Sequence, residues 1–306
     1  MEAAVVRRSP SPYLLLTLAP FFWACNWILG RGVADTVPPL AMTFYRWLFA
    51  LAILAPFAWT HVRRDWPIAR AHWKTMLFLG ATGVGTQNAL AYLGLNYTTA
   101  TNGVILNSSI PIMIIGISWL LLRERISSVQ LVGVLVSTAG VLAILSHGNP
   151  VALLGLRLNP GDLLILMSMA MWSLYTVCLR WRPKGMHMLS FLFFLACVGD
   201  LCVLPLYLGE SLFGRRMVPT LGNFAALVTV ALFSSVLAYI FWARGVELVG
   251  PNVAGLFVHL MPIFGVVLAA VFLHERLAPF HVVGIALIIV GIAVTSRAGR
   301  RPPVPQ

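Results

Sequence analysis

Charge is what this chain has least of. Only 10% of its 306 residues are Asp, Glu, Lys or Arg, and only 9 are acidic. A soluble domain carries about 25% charge to cover its surface, so a water-soluble helical bundle is excluded. Cysteine is scarce too. Cys25, Cys178, Cys197 and Cys202 all fall inside apolar runs without metal-type spacing. They read as small packing residues, and neither a disulfide framework nor a metal site is expected. Catalytic signatures are missing as well. His274-Glu275 opens an H-E-x-x-H zinc pattern, but Ala278 stands where the second ligand belongs. There is no G-x-S-x-G elbow and no phosphate-binding P-loop, so neither hydrolysis nor direct ATP drive is supported. No enzyme activity and no cofactor are expected.

What the chain does have is apolar length. Apolar residues make up 59% of it, mean hydropathy is +0.89, and runs of 18 or more recur throughout. Each is long enough to cross ~30 Å of hydrocarbon as a helix. Ten spans emerge, at roughly 13–30, 38–60, 73–95, 100–122, 127–146, 160–180, 188–209, 219–243, 251–273 and 279–297. Pro38-Pro39, Pro160-Gly161 and Pro279 stand at span starts, where a missing N–H costs nothing. Arg7-Arg8 before the run from Tyr13 resembles a signal peptide. Without a small-x-small cleavage site, that run is better read as the first span.

The formal net charge of +12 sits in the short loops, which is the positive-inside pattern and does not imply nucleic acid. With the N-terminus inside, the inner segments hold Arg7, Arg8, Arg63, Arg64, Arg70, Lys74, Arg123, Arg125, Arg180, Arg182, Lys184, Arg244, Arg297, Arg300 and Arg301. The outer segments hold Arg31, Arg157, Arg215, Arg216 and Arg276. Fifteen against five puts both termini in the cytoplasm.

The chain also writes itself twice. A shift of 151 residues carries Gly94 onto Gly245, Pro111-Ile112 onto Pro262-Ile263, Glu124-Arg125 onto Glu275-Arg276, Gly133 onto Gly284 and Gly140 onto Gly291. At a shift of 149, Trp23 falls on Trp172, Arg31 on Arg180, Phe44 on Phe193 and Pro56 on Pro205. Residues 1–150 and 151–306 are therefore read as two five-helix halves. Five is odd, so the second half inserts upside down. Inverted helical repeats are the architecture of carriers, with a midplane site between the halves. Duplication for packing alone is the structural alternative.

These features carry a family resemblance. Phe22-Trp23-Ala24-Cys25-Asn26-Trp27 in span 1, Phe44-Tyr45-Arg46-Trp47 in span 2 and the Pro-to-Glu-Arg pattern ending spans 4 and 9 resemble the drug/metabolite transporter superfamily, EamA type. Within it the chain looks like the bacterial exporters of aromatic and other neutral amino acids. The resemblance implies a ten-helix all-α fold, a central cavity lined by both halves, and export across the bacterial inner membrane.

Polar groups inside spans mark where such a cavity lies. Trp23, Asn26, Trp27 and Gly30 share one face of span 1, and Trp172 and Tyr175 share the counterpart face of span 6. Span 3 carries Gln87, Asn88 and Tyr92. Span 4 carries Asn102, Asn107, Ser108 and Ser109, span 8 Ser235, Tyr239 and Trp242, and span 9 His259. Together they would give aromatic walls with amide, hydroxyl and imidazole groups, suited to a neutral or aromatic amino acid. The structural alternative is an interfacial aromatic belt with Ser, Asn and Gly joining helices. Gly103 to Pro111 and Gly255 to Pro262 are read as hinges, because an interior Pro removes a helix hydrogen bond.

Arg46 and Asp200 are the charges well inside spans. An ion pair between them is the expected arrangement, with a clamp by Arg46 on a substrate carboxylate as the alternative. No other buried acid is apparent, so efflux down the solute gradient is preferred to proton coupling. A single chain in the lipid bilayer, with a small-molecule substrate, suffices for this reading. Export of another metabolite or drug is the nearest alternative, and a membrane enzyme or scaffold the remoter one.

Overall fold

The computed structural model describes residues 11–98, 103, 106–124, 126–149, 151, 159–272 and 278–298. Asn102, Arg125 and Glu275-Arg276 lie outside the described residues. The elements are all helical. Pro12–Gly32 forms α1 and Pro39–Ala71 forms α2. Trp73–Gly80 (α3) and Gln87–Leu95 (α4) flank a π-helical stretch at Ala81–Thr86. Ile110–Leu122 is α5, Ser128–Leu145 α6, Pro160–Cys178 α7 and Met188–Leu212 α8. Leu221–Val230 (α9) and Ala238–Val249 (α10) flank a second π-helical stretch, Ala231–Leu237. Pro251–Leu256 (α11) and Leu260–Phe272 (α12) flank a 3₁₀ turn at Phe257–His259, and Pro279–Ala298 is α13.

Among the described residues, 8 helical stretches are long and apolar enough to cross a membrane, and Ile110–Leu122 is a shorter apolar helix. Local chemistry sets many of the starts. Ser127 and Gln130 form a reciprocal capping box at α6, as do Asn159 and Asp162 at α7. The start of α2 is capped from another helix: Leu40 N and Ala41 N donate to the Glu210 carboxylate at 3.1 and 2.9 Å, a favourable seat for an anion on a helix dipole. Helix α2 also runs past its expected end at residue 60. Its 33 residues extend about 50 Å at 1.5 Å each, beyond the ~30 Å hydrocarbon core.

Glycines set the closest helix contacts. Gly133 meets Gly291 and Gly140 meets Gly284, so α6 and α13 run antiparallel. A Cβ on Gly140 would stand 2.6 Å from the Gly284 carbonyl oxygen, which no real Cβ tolerates. In a bilayer, small residues are what lets two backbones approach this closely.

Residues that match under the internal shifts also touch each other. The rings of Trp23 and Trp172 meet edge to face at 5.0 Å. Asn88 donates to the Tyr239 hydroxyl at 3.3 Å, and the His259 ring meets the Ser108 carbonyl at 3.2 Å. The two π-helical stretches fall at corresponding places in the two halves of the sequence as well.

Candidate functional site

A cavity of about 830 Å³ opens between α1, α2, α4, α7, α10 and the α11–α12 break. Its mouth is formed by Ala34, Asp35 and Pro38 between α1 and α2, by Asn96 and Thr98 after α4, and by Gly214, Arg215 and Arg216 after α8. Opposite the mouth the cavity stops at an aromatic floor. Trp23, Trp172 and Tyr239 face it, and Trp47, Tyr175 and Trp242 back them with ring centroids 4.9–6.2 Å apart.

The π-helical stretches place the polar wall. Each inserts a residue into its helix and rotates the turns beyond it, so Asn88 and Tyr239 arrive on the cavity side directly after them. Ser235, inside the second stretch, accepts from Arg46 Nε at 2.9 Å. Arg46 Nη1 donates to Asn88 Oδ1 at 3.2 Å and to the Tyr92 hydroxyl at 3.3 Å. Asn26 Nδ2 donates to that same hydroxyl at 3.4 Å, while its Oδ1 has no hydrogen-bond partner among the described residues. Arg46 is 2% exposed and lines the cavity. Three neutral side chains thus hold one guanidinium without neutralising it.

The expected ion pair does not form. No carboxylate comes within ion-pair distance of Arg46 among the described residues, and buried Asp200 leaves its Oδ1 without a hydrogen-bond partner there. The face a residue presents on α2 or α8 depends on how the helices rotate about their axes, which depth along a span does not reveal. Asp200 is also not the sole buried acid. Asp65 on the extended α2 and Asp162 in the α7 cap are each 1% exposed.

The structure brings Trp23, Asn26, Gln87, Asn88, Tyr92, Asn107, Trp172 and Tyr239 to the cavity surface. Four other candidates stand behind it. Tyr175 covers Gly83 so closely that a Cβ there would overlap its ring. Trp242 Nε1 donates to Thr176 Oγ1 at 3.2 Å. His259, 1% exposed, is held by Ser137 Oγ at 2.7 Å on one ring nitrogen and by the Ser108 carbonyl on the other. Ser108 accordingly contributes its backbone to that bond. Sequence reasoning missed Met42, Met169, Ile110 and Met261 on the wall and Asp35 at the mouth. Apolar residues at helical spacing look the same whether they face a cavity, a neighbour or lipid.

The two prolines do not sit inside unbroken helices. Pro111 is in the first turn of α5, after a turn at Ser108-Ser109, and Pro262 is in the first turn of α12, after the 3₁₀ turn. Gly103 lies against Ile165, and Gly255 against Ile114. The two helix breaks meet at the His259–Ser108 bond.

Comparison with known proteins decides the family. The profile of the EamA-like transporter family matches twice in succession, over residues 10–146 and 159–297. The chain belongs to the EamA-like transporter family. It is a multi-pass membrane transporter, and relatives of this EamA-like protein carry transporter names. The uncharacterized transporter YetK of Bacillus subtilis is 28% identical over 305 residues, covering 97% of this chain and 90% of its own. Protein PecM of Dickeya dadantii is 28% identical over 298 residues, covering 94% and 95%. A solved crystal structure superimposes with a TM-score of 0.76 at 18% identity, covering 94% of this chain and 97% of the other, a likeness of fold.

Proposed function

We propose that this EamA-like transporter exports neutral amino acids, aromatic ones above all, across the bacterial inner membrane by alternating access. The observation that carries the reading is a guanidinium, Arg46, without a carboxylate partner among the described residues, beside an aromatic floor in a cavity of about 830 Å³. A buried cation without a counter-ion is costly, and a substrate carboxylate would complete it. The Trp23, Trp172 and Tyr239 faces offer apolar and edge-to-face contacts to the side chain. Asn26 Oδ1, buried without a hydrogen-bond partner among the described residues, can accept from an ammonium group once its amide turns to the cavity.

The proposed architecture is ten spans in two inverted five-helix halves, with both termini cytoplasmic. The double family match, the contacts between equivalent residues and the loop charges support it. The cavity mouth then faces outward. The paired breaks at Ser108-Ser109 and Phe257–His259 are the hinges, with Gly103, Pro111, Gly255 and Pro262 at them, and the solute's own gradient drives efflux. Arg215 and Arg216 at the mouth favour a second reading, an organic anion as the solute.

Counterflow in proteoliposomes tests both. Labelled Phe or Trp is expected to exchange, and Arg46→Gln to slow exchange by one to two orders of magnitude, the worth of a charged hydrogen bond of about 1.5–3 kcal/mol. Indifference to every neutral amino acid sinks the first reading. Competition by benzoate or a dicarboxylate, without competition by Phe, establishes the second.

A further inference from the structure

A second hollow, of about 390 Å³, lies outside the substrate cavity, between α1, α13 and the α11–α12 break. Its shape is amphipathic along the helix axis. Ile289, Ile292, Ala293 and Ser296 line it at i, i+3, i+4 and i+7 on α13, one stripe running about 10 Å. Arg297 closes one end of that stripe, and Tyr13, near the start of α1, lines the hollow too. Phe257 and Leu260 complete the apolar wall.

Four observations bear on what would occupy it. Helix α13 is apolar along its length and exposes Val282, Val283, Ile289 and Val290, so in a membrane protein this side faces lipid. Arg297 makes no ion pair among the described residues, whereas Arg180, Arg182 and Arg244 each have a glutamate. Ser296 Oγ is buried without a hydrogen-bond partner there. In the sequence, Arg300 and Arg301 follow α13 and Arg7 and Arg8 precede α1, and basic clusters flanking a span attract anionic headgroups.

We propose that this hollow is a binding site for an anionic phospholipid of the leaflet at the chain termini. Its phosphate pairs with Arg297, and an acyl chain lies along the Ile289–Ser296 stripe. The site also touches the moving part. Phe257, stacked on Tyr13 at 6.0 Å, belongs to the same 3₁₀ turn as His259, which bonds Ser108 and Ser137. A lipid in the hollow therefore bears on the break, and its presence accelerates exchange. That second half rests on the transport reading above; binding does not.

Native mass spectrometry of the full-length protein, titrated with palmitoyl-oleoyl phosphatidylglycerol or the matching phosphatidylcholine, tests the binding. Phosphatidylglycerol is expected to be retained about fivefold better, the worth of roughly one arginine at a membrane surface. Arg297→Gln, at an exposed helix end, is expected to abolish that preference, while Arg244→Gln removes the same charge elsewhere and preserves it. Ile292→Trp, which fills the slot, should lower retention of both lipids. Equal retention of the two lipids by the native protein overturns the site, as does an Arg297→Gln protein that keeps the preference. Counterflow in vesicles with and without phosphatidylglycerol then tests the effect on rate. Unchanged exchange alongside selective binding overturns the acceleration and leaves the site standing. Absence of exchange for any solute in either vesicle, with selective binding intact, overturns the transport reading instead.

Discussion

The two ends of the bundle are held by different chemistry, and only one is shut. At the closed end the ties include ion pairs, two of them between elements (Arg180–Glu124 and Arg182–Glu247) and two within one helix (Arg244–Glu247 and Arg64–Asp65). Glu124 pairs with Arg180, and Glu247 takes Arg182 at 3.5 Å and Arg244 at 2.7 Å. Buried Asp65 holds Arg64 at 2.9 Å and accepts from the His187 backbone N–H at 2.8 Å. At the mouth the ties are mostly neutral. Val218 N donates to the Thr36 carbonyl at 2.9 Å, and the Thr36 hydroxyl to Asn223 Oδ1 at 3.0 Å. Exposed ion pairs contribute little each and exchange readily with water. The closed end is thus latched by bonds that can open without leaving a buried orphan. Asp65 is the exception, and it is fixed within the frame.

The comparison breaks most severely at Asp65. Asp65→Asn keeps the shape but weakens acceptance from His187 N and Arg64. It is expected to cost about 1–3 kcal/mol, the range for compromising a buried hydrogen-bonded group, read as a lower Tm in detergent. A Tm equal to that of the native protein would show the closed end to be held by packing alone.

Acid should act at the same place. Burial, then the neighbouring His61 and Arg64, hold the pKa of His187 below its ordinary 6.5. The His61 and His187 rings stack at 3.8 Å, so a proton on His187 is unwelcome. As pH falls the unfolded chain takes up its proton first, so stability is full above about pH 6.5 and declines below it through the folded pKa. His187→Gln should flatten that decline in a Tm–pH series. A slope that persists in the variant assigns it to other groups.

The smallest effects distinguish the two ends directly. Glu247→Gln removes both exposed pairs and should lower stability by under about 1 kcal/mol, while increasing labelling of a cysteine placed at residue 180 at the closed end. Arg215→Gln at the mouth should leave both unchanged and reduce the salt dependence of solute uptake. Equal labelling in both variants would show that the two ends are not held differently.

Sequence legibility followed the same division. The 151-residue shift, the charge counts and the aromatic spacing are written in residue types, so the family and helical class were readable, and so were Trp23, Asn88, Arg46 and Tyr239 as residues of interest. The pairing of Arg46 was not. Depth along a span is encoded by position, whereas rotation about the axis depends on neighbours. The π-helical stretches made this worse, because Ala81–Thr86 and Ala231–Leu237 carry no residue type that announces an inserted residue. Glu124 shows the same limit: its place in the loop between spans 4 and 5 names no partner, yet it pairs with Arg180, just past the end of α7.

By itself, then, the sequence determined that this is a helical membrane protein, internally repeated and of the EamA kind. It did so because hydrophobicity, loop charge and repetition are properties of residues in order. Only the tertiary structure decided that Arg46 is held by amide and hydroxyls with no acid at hand among the described residues, and that Tyr175, Trp242 and His259 support the wall instead of facing the cavity. It also decided that the two helix breaks meet. Each of these depends on which helix face turns toward which neighbour, and that choice is made by close packing across elements far apart in the chain.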